Sequence, residues 1–194
     1  MRCVCTPSRV LSTRVPSKLR GARACAAVPR PEQSVQTLHL HYGLLTSASS
    51  QPTDVNVEAY IKEFKAHEVT DLVRCCECAY SSDRILKSGV RVHDMPFPDG
   101  DPPPDSVITS WLSLCNKTFA KGNPEHHSIA VHCIAGLGRA PVLVALALIE
   151  AGMEPLEAIT AIRAKRRGAI NARQLHYLEH SYKRRSKAGK CCIV

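Results

Sequence analysis

The feature that most constrains the fold is a short stretch that reads as strand, glycine-containing loop and helix. An apolar run at residues 128–132 predicts a buried strand. Cys133 follows it, a loop with two glycines comes next, and Arg139 closes the loop. Residues 140–153 then predict a helix with Pro141 in its first turn, where a missing N–H costs little. Backbone N–H groups at such a loop and helix N-terminus bind anions such as phosphate.

Cys133 and Arg139 lie six positions apart, which is the Cys-x5-Arg spacing. A thiolate in an anion-binding loop is a nucleophile toward phosphorus, and an arginine guanidinium binds the same phosphoryl oxygens as a fork. The stretch therefore predicts a cysteine-dependent phosphatase; the alternative is a purely structural turn with a buried cysteine. The predicted phosphate-binding residues are Ile134, Ala135, Gly136, Leu137, Gly138 and Arg139.

The 194-residue chain suits one domain with tails, and its positive charge is concentrated in those tails. The net charge is +9, of which +6 lies in residues 1–35 and +5 in residues 183–194, while residues 36–182 carry about −2. We therefore expect a disordered basic extension, a phosphatase domain over residues 36–182 and a polybasic tail. The extension could instead be a mitochondrial presequence, which is also rich in Arg and Ser. A nucleic-acid-binding domain would carry its basic residues on the fold itself, so this class is disfavoured.

The ten cysteines show neither the spacing of a secreted disulfide framework nor an export signal, which favours a reducing compartment. Cys75, Cys76 and Cys78 are spaced like half of a zinc knuckle, but no second Cys/His pair lies at ligand spacing around them. We therefore expect neither a metal site nor a cofactor.

Between the tails, predicted strands alternate with predicted helices. The strands are expected around residues 36–46 and at 69–74, 89–93 and 128–132, and the helices from Thr53 or Asp54 onward and at 105–121, 140–153, 155–166 and 171–182. This alternation predicts an α/β fold with a central, largely parallel sheet flanked by helices. The anion-binding loop would then lie at the carboxyl end of a strand, where such sheets bind ligands.

A phosphoryl transfer of this kind needs a general acid to protonate the leaving oxygen. Asp99 is the best candidate, because it lies in a separate, proline-stiffened loop at residues 94–104. Asp94 and Asp101 are its competitors. His132 could serve as a base, but a strand residue adjacent to the cysteine points the opposite way, which favours a supporting role through hydrogen bonding.

Two segments carry a family resemblance. Residues 132–150 read His-Cys-Ile-Ala-Gly-Leu-Gly-Arg-Ala-Pro-Val-Leu-Val-Ala-Leu-Ala-Leu-Ile-Glu, and residues 164–171 read Ala-Lys-Arg-Arg-Gly-Ala-Ile-Asn. Together they closely resemble the phosphatases of regenerating liver, the type IVA protein tyrosine phosphatases. The similarity runs from about residue 36 to the C-terminus.

The resemblance implies a cysteine-based, dual-specificity-like protein tyrosine phosphatase fold. It further implies that Cys133 is the nucleophile, that Arg139 binds the phosphate, and that Asp99 is the acid, since it matches the family's Pro-Phe-x-Asp-Gly pattern. The expected activity is hydrolysis of phosphoprotein, with tyrosine or dual specificity, through a phosphocysteine intermediate.

Three positions around the site modify this expectation. Related phosphatases place Ser or Thr where this chain has Ala140, and that hydroxyl helps the thiolate leave when water hydrolyses the phosphocysteine. The second step is therefore expected to be slow. Met95 replaces the family's usual tryptophan in the acid loop, and Pro98 replaces an acidic residue beside the general acid.

The resemblance also implies two covalent modifications. Cys76 matches the family cysteine that forms a reversible disulfide with the nucleophile, Cys133. The C-terminal Cys-Cys-Ile-Val predicts prenylation of Cys191, with five Lys and Arg residues before it as the second membrane signal. The expected location is the cytoplasmic face of the plasma membrane or endomembranes; mitochondrial targeting is the alternative.

An alternative function follows from the same resemblance, since the family also binds CBS-pair magnesium transporters by presenting this pocket to an acidic loop. A slow enzyme with an intact anion site would suit that role. A phosphoinositide is a third ligand class, suggested by the membrane anchor and by the cations Arg163, Lys165, Arg166 and Arg167, although these four are better interpreted as a solvated helix end.

Overall fold

A five-stranded sheet forms the centre of the computed structural model, which describes residues 37–40, 44–47, 51–77, 80–119 and 127–185. The strands are β1 (Thr37–Leu40), β2 (Leu44–Ser47), β3 (Val69–Arg74), β4 (Arg91–Asp94) and β5 (Ser128–His132). Their order across the sheet is β1-β2-β5-β3-β4. The four strands β2, β5, β3 and β4 run parallel, and β1 pairs antiparallel with β2 at the edge.

Six α-helices accompany this sheet among the described residues. They are α1 (Val57–Ala66), α2 (Asp83–Lys87), α3 (Asp105–Thr118), α4 (Arg139–Glu150), α5 (Pro155–Lys165) and α6 (Ala172–His176), and a π-helical turn at Tyr177–Ser181 continues α6. The predicted α/β fold with a largely parallel central sheet is confirmed.

The core is built around β5 and α4. Strand β5 has neighbours on both edges, and all five of its residues are buried, as its continuous apolar sequence requires. All twelve residues of α4 are buried too, because this helix packs on β2 and β5 and is covered by α3 and α5. The loop that joins these two elements is therefore held at both ends by the most deeply buried parts of the protein.

Helix α3 is attached to α4 by a buried tryptophan. The indole Nε1 of Trp111 donates a hydrogen bond to the backbone oxygen of Leu143 at 2.6 Å, and the ring is fully buried. Since α3 begins at Asp105, directly after the proline-rich loop, this contact fixes the end of that loop relative to α4.

The chain segment after the π-helical turn packs on α3 and α4. The buried carboxylate of Glu150 accepts hydrogen bonds from the Tyr182 hydroxyl (2.5 Å) and the Arg185 backbone N–H (2.7 Å). The Arg185 guanidinium also donates to Asp105 (2.6 Å) and to Thr109 (3.0 Å). Burial, together with the adjacent Glu150 carboxylate, raises the pKa of Tyr182 well above its usual value. Residues 1–35 and 186–194, most of the predicted extension and tail, lie outside the described residues.

The predicted strands at 69–74 and 128–132 match the structure, whereas other predicted boundaries differ. The single strand expected around 36–46 is two antiparallel strands, β1 and β2. Helix α1 is capped by Asn56 rather than by Thr53 or Asp54, because residues 53–56 form a turn in which the Asn56 side chain accepts the Thr53 N–H (2.6 Å). Helix α2 was missed, since five residues are too few to show a helical period.

Candidate active site

Cys133 lies directly after β5, with only 3% of its surface exposed, and the loop from 134 to 138 leads from it to the first residue of α4. The buried Gly136 has φ +65°, a left-handed conformation that favours glycine and turns the chain back toward the helix. Strand, loop and helix N-terminus thus have the arrangement that the sequence predicted.

Three carbonyl groups of this loop are hydrogen-bonded to other parts of the protein. The Gln51 N–H donates to the oxygen of Ile134 (3.1 Å), the Arg166 guanidinium to that of Ala135 (3.0 Å), and the Ile170 N–H to that of Leu137 (2.7 Å). In a trans peptide the next N–H points opposite to the carbonyl. Because the carbonyls point outward, the following N–H groups face the concave side of the loop, where an anion would bind.

Arg139 places a buried guanidinium at this loop. Its Nη1 donates to the backbone oxygen of Phe97 (3.4 Å), and its Nε lies 3.2 Å from Oδ1 of Asp99 without the angle of a hydrogen bond. Within the described residues, this buried Nε has no hydrogen-bond partner. A buried donor without an acceptor is costly, so the guanidinium is well suited to receive an anion.

Of the three candidate acids, the structure brings Asp99 to the loop at residues 134–139, which is called the phosphate-binding loop from here on. Its side chain is 77% exposed, and a Cβ on Gly138 would lie 3.6 Å from its Oδ1, so the carboxylate lies in contact distance of this loop. Asp94 is instead paired with Arg74 through two hydrogen bonds of 2.5 and 2.7 Å, which lower the pKa of Asp94. A carboxyl held ionised in this way is a poor proton donor.

The remaining competitor, Asp101, is also engaged elsewhere, in an ion pair with Arg173. The geometry therefore singles out Asp99 from the three, in agreement with the family pattern.

His132 is a buried, neutral residue in a supporting position. Its Nδ1 lies 3.3 Å from the oxygen of Cys133, which can only accept, so Nδ1 carries the proton and Nε2 accepts from the Tyr80 hydroxyl at 2.8 Å. Burial lowers the pKa of His132 to about 4. The ring therefore lies between the Tyr80 hydroxyl and the backbone at Cys133, a position that fits the supporting role predicted from the sequence; that role stays a prediction.

Cys76 and Cys133 follow the ends of two adjacent strands, β3 and β5. Arg74 of β3 pairs with His132 of β5, and the Cys75 N–H donates to the oxygen of His132 at 2.9 Å. The side chains of Cys76 and Cys133 are both buried and reduced, and the Cys76 thiol donates to Oε1 of Gln51 at 3.5 Å. The disulfide between them stays a prediction.

Three of the four cations interpreted as a solvated helix end are exposed, as expected, whereas Arg166 is half-buried. Two of the four also bind backbone carbonyls. Arg163 donates from Nε to the oxygen of Ala169 (3.0 Å) and from Nη2 to that of Ile170 (2.8 Å). Arg166 binds the phosphate-binding loop at Ala135, as described above. The carbonyls that these guanidinium groups bind lie in loops, and the sequence pattern of the helix alone does not indicate such contacts.

Sequence reasoning missed Gln174, whose side chain is fully buried between the phosphate-binding loop and the proline-rich loop. It forms a reciprocal capping box with Asn171: each side chain accepts the other residue's backbone N–H, at 2.8 and 3.2 Å. The spacing Asn-x-x-Gln at a helix start is the signal that could have revealed it.

The described residues contain no group of three or more His, Cys, Asp or Glu side chains that could hold a metal ion. No helix among them is long and apolar enough to cross a membrane.

The buried His132 predicts a loss of stability in mild acid. Its pKa of about 4 lies below the unfolded value of 6.5, so the unfolded state binds more protons between these pH values and the free energy of unfolding falls as pH decreases. We expect a loss of about 2–3 kcal/mol between pH 7 and pH 4.5, measured by urea unfolding.

The matched variants are His132→Gln, which should flatten the pH dependence, and His180→Gln at an exposed position, which should not. A wild-type free energy of unfolding that is constant over this range would contradict the prediction, even if His132→Gln does not fold.

The comparisons with known proteins agree with this geometry. The profile of the protein-tyrosine phosphatase family matches residues 50–181. The type IVA A protein tyrosine phosphatase of Dictyostelium discoideum is 45% identical over 169 residues, covering 87% of this chain and 97% of the relative. The human protein tyrosine phosphatase type IVA 3 is 45% identical over 156 residues, covering 74% and 86%.

Solved structures give the same result. A protein tyrosine phosphatase from Leishmania major has a TM-score of 0.64 at 42% identity, covering 73% of this chain and 88% of that one. DUSP15 has a TM-score of 0.56 at 15% identity, covering 74% and 85%, and shows the fold alone. The family profile covers most of the chain, and the relatives are 45% identical to it. The protein is a cysteine-based hydrolase that belongs to the type IVA protein tyrosine phosphatases.

Proposed function

We propose that Cys133 attacks the phosphorus of a phosphoprotein substrate while Arg139 binds the phosphoryl oxygens and Asp99 protonates the leaving oxygen. The S–P bond forms, the P–O bond to the leaving group breaks, and the proton passes from the Asp99 carboxyl to that oxygen. The observation that carries this assignment is the buried Arg139 guanidinium at the phosphate-binding loop, with an unbonded Nε and with Asp99 at 3.2 Å.

The second step is proposed to be slow. Water must attack the phosphocysteine, and the departing thiolate is stabilised by any hydrogen-bond donor beside it. Ala140 is fully buried in the first turn of α4, directly after Arg139, and its methyl group donates no hydrogen bond. The same position thus favours formation of the intermediate over its release.

The surroundings of the loop support an aromatic phosphate as the substrate group. Ile134 and Leu137 are exposed on the loop, at 52% and 38%, although both are large and apolar. Exposed apolar side chains at a binding site pack on the flat faces of a ligand ring. Phosphotyrosine presents such a ring, whereas phosphoserine presents only a methylene group.

Two predictions from the resemblance stay proposals. The prenylated Cys191 lies outside the described residues, and its support is the polybasic sequence, of which Lys183, Arg184 and Arg185 are described and exposed. Binding to CBS-pair magnesium transporters stays a prediction as well, since no observation favours it over catalysis.

The experiment that tests the mechanism is stopped-flow release of the aryl group from p-nitrophenyl phosphate. The wild type should give a burst equal to the enzyme concentration, followed by slow turnover. Cys133→Ser should abolish both phases, with a loss on the order of 10³-fold or more. Ala140→Ser should raise the steady-state rate by about tenfold or more, because a positioned donor is worth about 10²–10³ in rate.

The controls are the buried Cys115→Ser in α3 and Ala147→Ser in α4, which place the same new groups away from the site. A Cys133→Ser protein that is folded and active would exclude the nucleophile. A steady-state rate that is unchanged in Ala140→Ser would exclude the slow second step.

Mild peroxide should oxidise the Cys76 and Cys133 thiols to one disulfide, with peroxide reduced to two molecules of water. The expected result is a Cys76–Cys133 peptide in a non-reducing map and activity that returns with a thiol reductant. Cys76→Ser should make inactivation irreversible, while Cys75→Ser, at the neighbouring buried position, should not. Absence of that peptide in wild-type protein would refute the disulfide.

Prenylation should appear as a lipid mass on the C-terminal peptide of the protein expressed in eukaryotic cells. Cys191→Ser should remove that mass, and Cys192→Ser should keep it, because the modified cysteine is fourth from the end. An unmodified peptide from the wild type would disprove the anchor.

A further inference from the structure

We propose that the start of α6 is a latch that holds the acid loop (residues 94–104) over the phosphate-binding loop, with Asn171 and Gln174 as positioning residues for Asp99. The proposal rests on the assignment of Asp99 as the general acid made above. Neither residue is proposed to touch the substrate.

Asn171 binds the backbone next to the acid. Its Nδ2 donates a hydrogen bond to the oxygen of Gly100 at 3.0 Å, and Gly100 directly follows Asp99. Gly100 has φ +78°, and a Cβ at this position would lie 3.4 Å from Nδ2 of Asn171. The left-handed backbone at this turn favours glycine, and the Asn171 side chain packs directly against it.

Gln174 binds the following residue of the same loop. Its Nε2 donates to the oxygen of Asp101 at 3.3 Å, while its Oε1 accepts the Asn171 N–H. The same Nε2 lies 3.4 Å from the position of a Cβ on Gly138, in the phosphate-binding loop. One buried amide thus lies between the two loops.

The latch is itself fixed to the phosphate-binding loop. Ile170, which precedes Asn171, donates its N–H to the oxygen of Leu137 at 2.7 Å. Arg163 binds the oxygens of Ala169 and Ile170, which holds this turn on α5. The segment that holds the acid loop, residues 169–174, is therefore itself hydrogen-bonded to the phosphate-binding loop and to α5.

The ion pair between Asp99 and Arg139 cannot perform this role during the reaction. When the guanidinium binds a phosphoryl group, it turns its donors to the phosphate oxygens, and the contact with Asp99 is weakened. The hydrogen bonds to the oxygens of Gly100 and Asp101 do not involve the site and persist when it is occupied. The exposed Arg173–Asp101 ion pair adds little by comparison.

The test uses substitutions that keep the helix cap and remove only the donor to Gly100. Ser and Asp cap a helix about as well as Asn, so Asn171→Ser and Asn171→Asp should fold with a melting temperature near that of the wild type. Their burst-phase rates are compared for phenyl phosphate, whose leaving group needs a proton, and 2,4-dinitrophenyl phosphate, whose leaving group does not. Asp99→Asn is the reference and Arg173→Gln the matched control on the same turn.

We expect both Asn171 variants to lower the burst rate on phenyl phosphate by about tenfold or more, because displacement of an acid by about 1 Å costs on the order of 10² in rate. The burst rate on the dinitrophenyl ester should change by less than about twofold, because its leaving group needs no proton. Gln174→Met should show the same split. In the background of Asp99→Asn, Asn171→Ser should cause no further loss, and Arg173→Gln should resemble the wild type.

Equal losses on both esters, no loss on either, or additive losses in the double variant would each overturn the latch while leaving Asp99 as the acid. If Asp99→Asn itself shows no dependence on the leaving group, the proposed role of Asp99 fails, and the latch fails with it.

Discussion

The site depends on the complete burial of α4. Because every residue of this helix is covered, its first turn cannot shift, and Arg139 is carried into the protein as part of the core. Strand β5 is equally fixed between two parallel neighbours and delivers Cys133 at its end. The loop between them is short and has both ends anchored, so its N–H groups are preorganised for an anion before any ligand is present.

A second constraint comes from the outward contacts of that loop. Its carbonyls are held by Gln51 and by Arg166 and Ile170 of the turn after α5, two segments that are far apart in the chain. These contacts fix which way each peptide faces, and the buried His132 lies against the peptide oxygen of Cys133. The loop conformation is thus supported by residues for which we propose no chemical role.

The sequence predicted the elements whose environment is uniform. Strands β3 and β5 were placed to the residue, because each carries a short run of buried apolar residues, Leu72 and Val73 in β3 and residues 129–131 in β5. The start of helix α1 was placed two or three residues too early, because Thr53 and Asp54 are good caps in isolation while the Asn56 side chain closes a turn at that point. The basic run at 163–167 was misread in part, since nothing local distinguishes a solvated arginine from one that binds a distant carbonyl.

By itself, the sequence determined the phosphate-binding loop. A Cys-x5-Arg spacing between an apolar strand and a helix is a local pattern, and its geometry follows from bond lengths, from the left-handed Gly136 and from the helix N-terminus. The sequence and the family pattern already favoured Asp99 over Asp94; what only tertiary structure decided is that Asp94 is engaged, because Arg74 binds it from the adjacent strand. The position of the acid loop was decided there as well: its partner, α6, is about 70 residues away in sequence, at a distance over which no local pattern carries information.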